Sequence, residues 1–145
     1  MSEVSTFRLY LLRAGYLIIA VGLALMIWPG IISPTDNLPH MNSVVRSVLG
    51  AVSLLAILGI RYPLKMLPLL FFELLWKSIW VLAFGLRLWS ANRLSPDARE
   101  TLNDCIFGIV LVLLVTPWGY VLKHYLKATG ERWRKPGLTF RLGEK

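Results

Sequence analysis

The chain is poor in cysteine and histidine, and each shortage excludes a class of site. Its 145 residues include one cysteine, Cys105, and two histidines, His40 and His124. A single cysteine cannot build a disulfide framework or a cysteine-cluster metal site. Zinc needs more ligands than these residues supply, so we expect no metal. Glycine-rich phosphate loops and Gly-x-Ser-x-Gly nucleophile motifs are also missing, so we predict no catalytic residue and no cofactor.

Charge is scarce as well, and this shortage excludes an ordinary soluble domain. Charged residues make up 17% of the chain, hydrophobic residues 56%, and the mean hydropathy is +0.60. A soluble domain carries nearer a quarter charged residues. No ten-residue alternating pattern of the kind found in membrane β-barrels recurs, so the apolar stretches favour helices. The sequence therefore predicts an all-α integral membrane protein with a single membrane domain over residues 1–145.

Four charge-poor stretches predict a bundle of four transmembrane helices. The expected spans are 14–32, 44–60, 66–88 and 105–122. The first stretch contains no charged residue and would form a helix of about 28 Å, close to the ~30 Å of a hydrocarbon core. We expect polar loops at 33–43 and 90–104, and the run Ser95-Pro96-Asp97 in the second loop is typical of a helix N-terminus.

The distribution of Lys and Arg predicts the orientation of these spans. Of the 16 basic residues, two precede the first span, two lie in the turn 61–65, and seven lie in the tail 123–145. The loop 33–43 has none, and the other outer loop has Arg93, Arg99 and the neighbouring Arg87. Positively charged loops stay in the cytoplasm. We therefore expect up-down topology with both termini cytoplasmic. His40 and His124 then lie on opposite sides, which excludes a haem held by both.

Glu73 and Lys77 are the least expected residues within a span. They stand at i and i+4, the spacing that pairs best on a helix, and Lys77 would lie about 16 Å deep. An isolated charge there costs at least ~3 kcal/mol. The pair could lock the helix register or hold a partner helix. Alternatively, it could form a proton relay or a ligand site in which Glu73 titrates.

Aromatic residues accompany this pair. Helical spacing puts Glu73, Lys77, Trp80, Phe84 and Arg87 on one stripe. With Trp76 beside it, Trp80 could stack against a quinone or another flat lipid-soluble ligand. The other interpretation is a packed seam in which Lys77 lies against Trp80.

Two further charges stand at the predicted outer rim. Arg46 opens the second span and Asp104 precedes the fourth. They could pair and tie the two helices together, with Arg87 as a competing partner for Asp104.

The tail 123–145 predicts contact with lipid. Its basic residues are interleaved with aromatics, and near an anionic surface each basic residue contributes about 1 kcal/mol. The candidate headgroup-binding residues are Lys123, Lys127, Arg132, Arg134 and Lys135. The composition is too unspecific to indicate nucleic acid as a partner.

Three sequence runs carry a resemblance to known proteins: 10–13 (Tyr-Leu-Leu-Arg), 46–50 (Arg-Ser-Val-Leu-Gly) and 68–77, from Pro68 to Lys77. With the four-span plan, the first two runs resemble small bacterial four-helix membrane proteins loosely grouped as DoxX-like, and the third run resembles one carried by uncharacterised bacterial proteins. The resemblance implies a bacterial inner-membrane location. Some DoxX-like proteins are associated with oxidoreductase or sulfur-redox systems, but this chain has no redox cysteine pair, so we transfer no activity.

These features favour a non-catalytic accessory or scaffold subunit with a buried Glu–Lys pair, and we do not expect an enzyme. Two alternatives remain open. One is an oligomeric transporter or channel subunit in which Glu73 titrates, and the other is a quinone-binding oxidoreductase component. The expected partners are the bilayer, anionic headgroups, and either another membrane protein or further copies of the chain.

Overall fold

The computed structural model describes residues 4–131, and every regular element in that part of the chain is helical. The elements in chain order are α1 (Thr6–Ile32), α2 (His40–Arg61), α3 (Leu67–Trp80), a first π-helical segment (Val81–Gly85), α4 (Leu86–Ser90), α5 (Pro96–Val115), α6 (Trp118–Val121) and a second π-helical segment (Leu122–Leu126). The all-α prediction is therefore confirmed for the described residues.

Three helical stretches are long and apolar enough to cross a membrane. They are α1, α2 and the continuous run Leu67–Ser90, which joins α3, the first π-helical segment and α4. A fourth candidate combines α5 with Trp118–Leu126, but these two parts are bent by 76° relative to each other. The chain is thus a helical protein with three or four helices suited to membrane integration.

Helix α5 differs in extent from the predicted span 105–122. It begins at Pro96, inside the stretch expected to be a polar loop, because Ser95 caps it: the Ser95 hydroxyl accepts a hydrogen bond of 3.2 Å from the Ala98 amide. Proline suits this first position, since its missing N–H has no helical partner there. At the other end Pro117 cannot donate to the helix, and the chain turns after Val115.

Helices α1 and α2 form an antiparallel hairpin that small residues hold close. A Cβ atom at Gly59 would lie 2.5–2.7 Å from atoms of the Tyr16 ring, so only glycine permits this approach. Further along the hairpin, the Ser53 hydroxyl donates to the Ala20 carbonyl at 3.1 Å. Small residues of this kind are typical of packed membrane helices.

Helices α3 and α5 form a second antiparallel hairpin. Gly108 of α5 faces Lys77, and Leu102 of α5 faces Gly85 in the first π-helical segment. The hairpins meet where Gly15 of α1 contacts Val115 of α5, at the beginning of α1 and the end of α5.

The buried core lies in one half of the bundle, next to the start of α1 and the turn 61–65. Its buried apolar residues are Leu12, Tyr16, Ile19, Ala20, Val52, Ala56, Leu67, Leu69, Leu70, Val112, Val115 and Val121. We call this part the core half. In the opposite half no residue of 21–49 is buried, and Gly85 is the one buried residue of 74–104. The two hairpins therefore pack against each other mainly in the core half.

Candidate functional site

The site is centred on Glu73, a carboxylate with 0% exposure on α3. Lys77 follows one helical turn later, and its Nζ donates to Oε2 of Glu73 in an ion pair. The i, i+4 spacing brings the two side chains together on the same helix face. Because the opposite charges compensate each other, the pair can be buried where a single charge would be costly.

Trp76 supplies a second hydrogen bond to the carboxylate of Glu73. Its indole Nε1–H donates to Oε1 of Glu73 at 3.1 Å, so both carboxylate oxygens accept a hydrogen bond. The Lys77 ammonium also lies 5.1 Å from the centroid of the Trp76 ring, within cation–π range. The aromatic partner of Lys77 is thus Trp76. The seam interpretation had placed Lys77 against Trp80 instead.

The ion pair faces helix α5. A Cβ atom at Gly108 would lie 2.6–2.8 Å from Nζ, Cε and Cδ of Lys77, so the lysine side chain lies directly on this glycine. The Lys77 side chain is 12% exposed. The pair therefore fills part of the contact between α3 and α5.

The predicted stripe of polar and aromatic residues does not continue beyond Trp80. A π-helical segment begins at Val81, so the α-helical spacing that predicted the stripe does not apply across Val81–Gly85. Phe84 is 57% exposed and Arg87 is also exposed, whereas Trp80 is half-buried and packs on Gly85. Of the predicted aromatic residues, Trp76 is the one that the structure shows against Lys77.

Two surface cavities lie away from the ion pair. The larger, of about 570 Å³, is lined by residues between Leu94 and Asp104 at the start of α5. The smaller, of about 220 Å³, lies between the start of α1 and the start of α6, beside Arg8 and Trp118. Neither cavity is lined by Glu73 or Lys77. Within residues 4–131, no group of three or more His, Cys, Asp or Glu side chains could hold a metal ion.

Arg46 and Asp104 do not form an ion pair with each other. The Arg46 guanidinium lies against Gly30 in the last turn of α1, where it can interact with the negative end of the helix dipole. Asp104 is exposed on α5. Helices α2 and α5 belong to different hairpins, and this separates the two residues.

The candidate headgroup-binding residues fall partly within the described chain. Lys123 lies in the second π-helical segment and Lys127 directly follows it, and both are exposed. Arg132, Arg134 and Lys135, with the rest of the tail from residue 132, lie outside the described residues.

One buried polar contact was not predicted from the sequence. The Tyr16 hydroxyl donates to the Pro63 carbonyl at 2.9 Å and so ties α1 to the turn between α2 and α3. The sequence carries no signal for this contact, because it joins two positions that are 47 residues apart.

Comparisons of this chain with protein-family models, with curated proteins and with solved structures find no match.

Proposed function

We propose that this protein is a non-catalytic accessory or scaffold subunit of the bacterial inner membrane. In this proposal four helices cross the bilayer in up-down order and both termini lie in the cytoplasm. Helix α5, with 20 residues, would be about 30 Å long, and we assign the fourth crossing to it. Its first half carries Asp97, Arg99, Glu100 and Asp104, and it is long and apolar enough for a span only when Trp118–Leu126 is counted with it. The many basic residues near the start of α1, in the turn 61–65 and after residue 122 support the orientation.

The observation that carries the proposal is the closed arrangement of Glu73. Both of its oxygens accept hydrogen bonds from the next turn of its own helix, and Lys77 lies against Gly108. A proton-transfer group needs a route to water, and a quinone site needs an open ring face beside its polar group. Glu73 is fully buried and lines neither of the two cavities described above, and on this basis we assign the pair a structural role.

A double-mutant cycle tests this role. We expect Glu73→Gln and Lys77→Met each to lower the free energy of unfolding by about 3–5 kcal/mol, because each leaves a buried charge without its partner. The combined variant has no such charge and should be nearly as stable as the parent. Unfolding in mixed micelles, followed by circular dichroism, measures all four proteins.

Two results would argue against the proposal. If each single variant were as stable as the parent, the pair would not be structural. Proton flux into liposomes that depends on the parent protein and disappears in Glu73→Gln would favour the transporter instead. Arg93→Gln, which removes an exposed charge from the turn between α4 and α5, controls for loss of charge alone.

A further inference from the structure

The chain changes direction sharply where α5 ends. The segment Trp118–Leu126, which we call the bent segment, is turned by 76° from α5. Two side chains donate to carbonyl groups next to this bend. The Thr116 hydroxyl donates to the Val112 carbonyl at 2.6 Å, and the Trp118 indole N–H donates to the Leu113 carbonyl at 2.9 Å. Helix α5 thus ends at the bend, and side chains cap carbonyl groups of its last turn. With α5 crossing the bilayer as proposed above, a segment turned this far from it would lie close to the membrane plane.

Packing holds the bent segment across the end of the core half. Just before the segment, Arg8 of α1 donates to the carbonyl of Thr116 at 3.4 Å. In the middle, Val121 is buried in the core. Near its end, the Tyr125 ring meets the Phe71 ring of α3 edge-on at 5.3 Å. The segment therefore runs from the start of α1 to the start of α3.

The outward side of the bent segment combines apolar and basic residues. Leu122 and Leu126, one turn apart, are 47% and 73% exposed. Lys123 and Lys127 are also one turn apart and exposed. This pattern is typical of a helix that lies in the interface, with its apolar side towards the acyl chains and its lysines towards the headgroups.

The neighbouring turn presents two cations around one aromatic ring. The Arg61 guanidinium and the Lys65 ammonium lie 5.5 and 5.7 Å from the centroid of the Tyr62 ring, which is 42% exposed. On α1, the Arg13 guanidinium lies 5.8 Å from the Tyr10 ring. The rings limit the freedom of the cations and keep them at this end of the molecule.

Charge at this end is almost entirely of one sign. The basic residues here are Arg8, Arg13, Arg61, Lys65, Lys123 and Lys127, and Glu131 is the one acidic residue that the described chain places after the bend. The complementary partner is an anionic surface at the depth of the lipid headgroups.

We propose that the bent segment lies flat in the membrane interface, and that it forms with the turn Arg61–Lys65 a binding surface for anionic phospholipid. This inference rests on the proposed membrane insertion. It adds that the chain does not continue across the bilayer after Val115 and that one end of the bundle selects lipids by headgroup charge.

Depth measurements test the geometry. In a Cys105→Ala background, spin labels are attached to Leu122→Cys or Leu126→Cys in vesicles that contain anionic phospholipid. We expect both labels at equal depth near the headgroups. The control pair, Val110→Cys and Leu114→Cys on α5, has the same spacing and should differ in depth by about 6 Å. A difference of that size between positions 122 and 126 would overturn the flat orientation.

A label at Ile79→Cys separates this inference from the proposed function. Ile79 is 61% exposed in the middle of the run Leu67–Ser90 and should lie deep in the acyl chains. If that label were in water, membrane insertion itself would be wrong. If it were deep while positions 122 and 126 differed by about 6 Å, only the flat orientation would be wrong.

Lipid competition tests the partner. The protein is placed in nanodiscs with equal parts of phosphatidylglycerol and phosphatidylcholine, and retained lipids are counted by native mass spectrometry. We expect the parent protein to retain phosphatidylglycerol in preference to phosphatidylcholine. In Arg61→Gln/Lys65→Gln this preference should fall by roughly fivefold for each charge removed. The matched control Arg93→Gln/Arg99→Gln removes two charges from the opposite end and should retain the preference. An equal loss in both variants, or no preference in the parent, would overturn the proposal.

Discussion

At the scale of single residues, the polar side chains of the helices find their partners within the bundle. Ser53 donates to a carbonyl of α1, Thr116 to one in its own helix, and Trp76 to Glu73. Among the described residues, no buried side-chain nitrogen or oxygen lacks a hydrogen bond. Lipid offers no water to replace such bonds, so losing one leaves a polar group unsatisfied.

Tyr16→Phe tests this principle at a single hydrogen bond. The variant keeps the ring against Gly59 but removes the donor to the Pro63 carbonyl, and we expect a loss of about 1–3 kcal/mol in the free energy of unfolding. Tyr10→Phe is the control, because Tyr10 is 64% exposed. Unfolding of both variants in mixed micelles gives the comparison, and equal stability of the two would contradict a structural role for this bond.

The sequence could predict only the local part of the Glu73 site. The pairing of Glu73 with Lys77 follows from helical spacing, which is a property of neighbouring turns. Trp76 as a donor depends on a side-chain rotamer, and Gly108 as the surface under Lys77 depends on which helices pack together. Neither has a signal in a single sequence.

At the scale of the elements, charge-poor stretches predicted α1, α2 and the run Leu67–Ser90, because length and hydropathy determine them. The capping residue Ser95 correctly indicated a helix N-terminus, although the polar composition of 96–104 favoured a loop. The π-helical segments and the 76° bend had no comparable signal. A proline in an apolar stretch predicts a kink but does not give its angle.

Glycines at the helix contacts provide a prediction at this scale. A Cβ atom at Gly59 would meet the Tyr16 ring, whereas at Gly22 it would meet nothing within 4 Å. We expect Gly59→Ala to lower the free energy of unfolding by about 1–3 kcal/mol through overpacking. Gly22→Ala should leave it unchanged or raise it slightly.

Both alanine variants change one hydrogen to a methyl group in a helix of the same hairpin, so their difference isolates the contact. Thermal unfolding in one detergent measures that difference. If Gly22→Ala were as destabilising as Gly59→Ala, the close approach of α1 and α2 would not explain the effect.

At the scale of the whole molecule, the bundle is packed unevenly. The core half holds both hairpins together through the contacts of Tyr16, Val115 and Val121. In the opposite half, apolar residues such as Leu25, at 73%, and Leu82, at 67%, are exposed. Such a surface suits lipid or another membrane polypeptide. If the protein is an accessory subunit, as proposed, part of this surface is covered by another membrane polypeptide.

Native mass spectrometry of the protein, released gently from its own membrane, tests the accessory role most directly. We expect a discrete complex with a different polypeptide, in a fixed ratio and without a bound small-molecule cofactor. The combined variant Glu73→Gln/Lys77→Met should form the same complex, because the proposal gives the pair a role in the fold alone. A homo-oligomer that retains a small molecule, and loses it in that variant, would contradict the account.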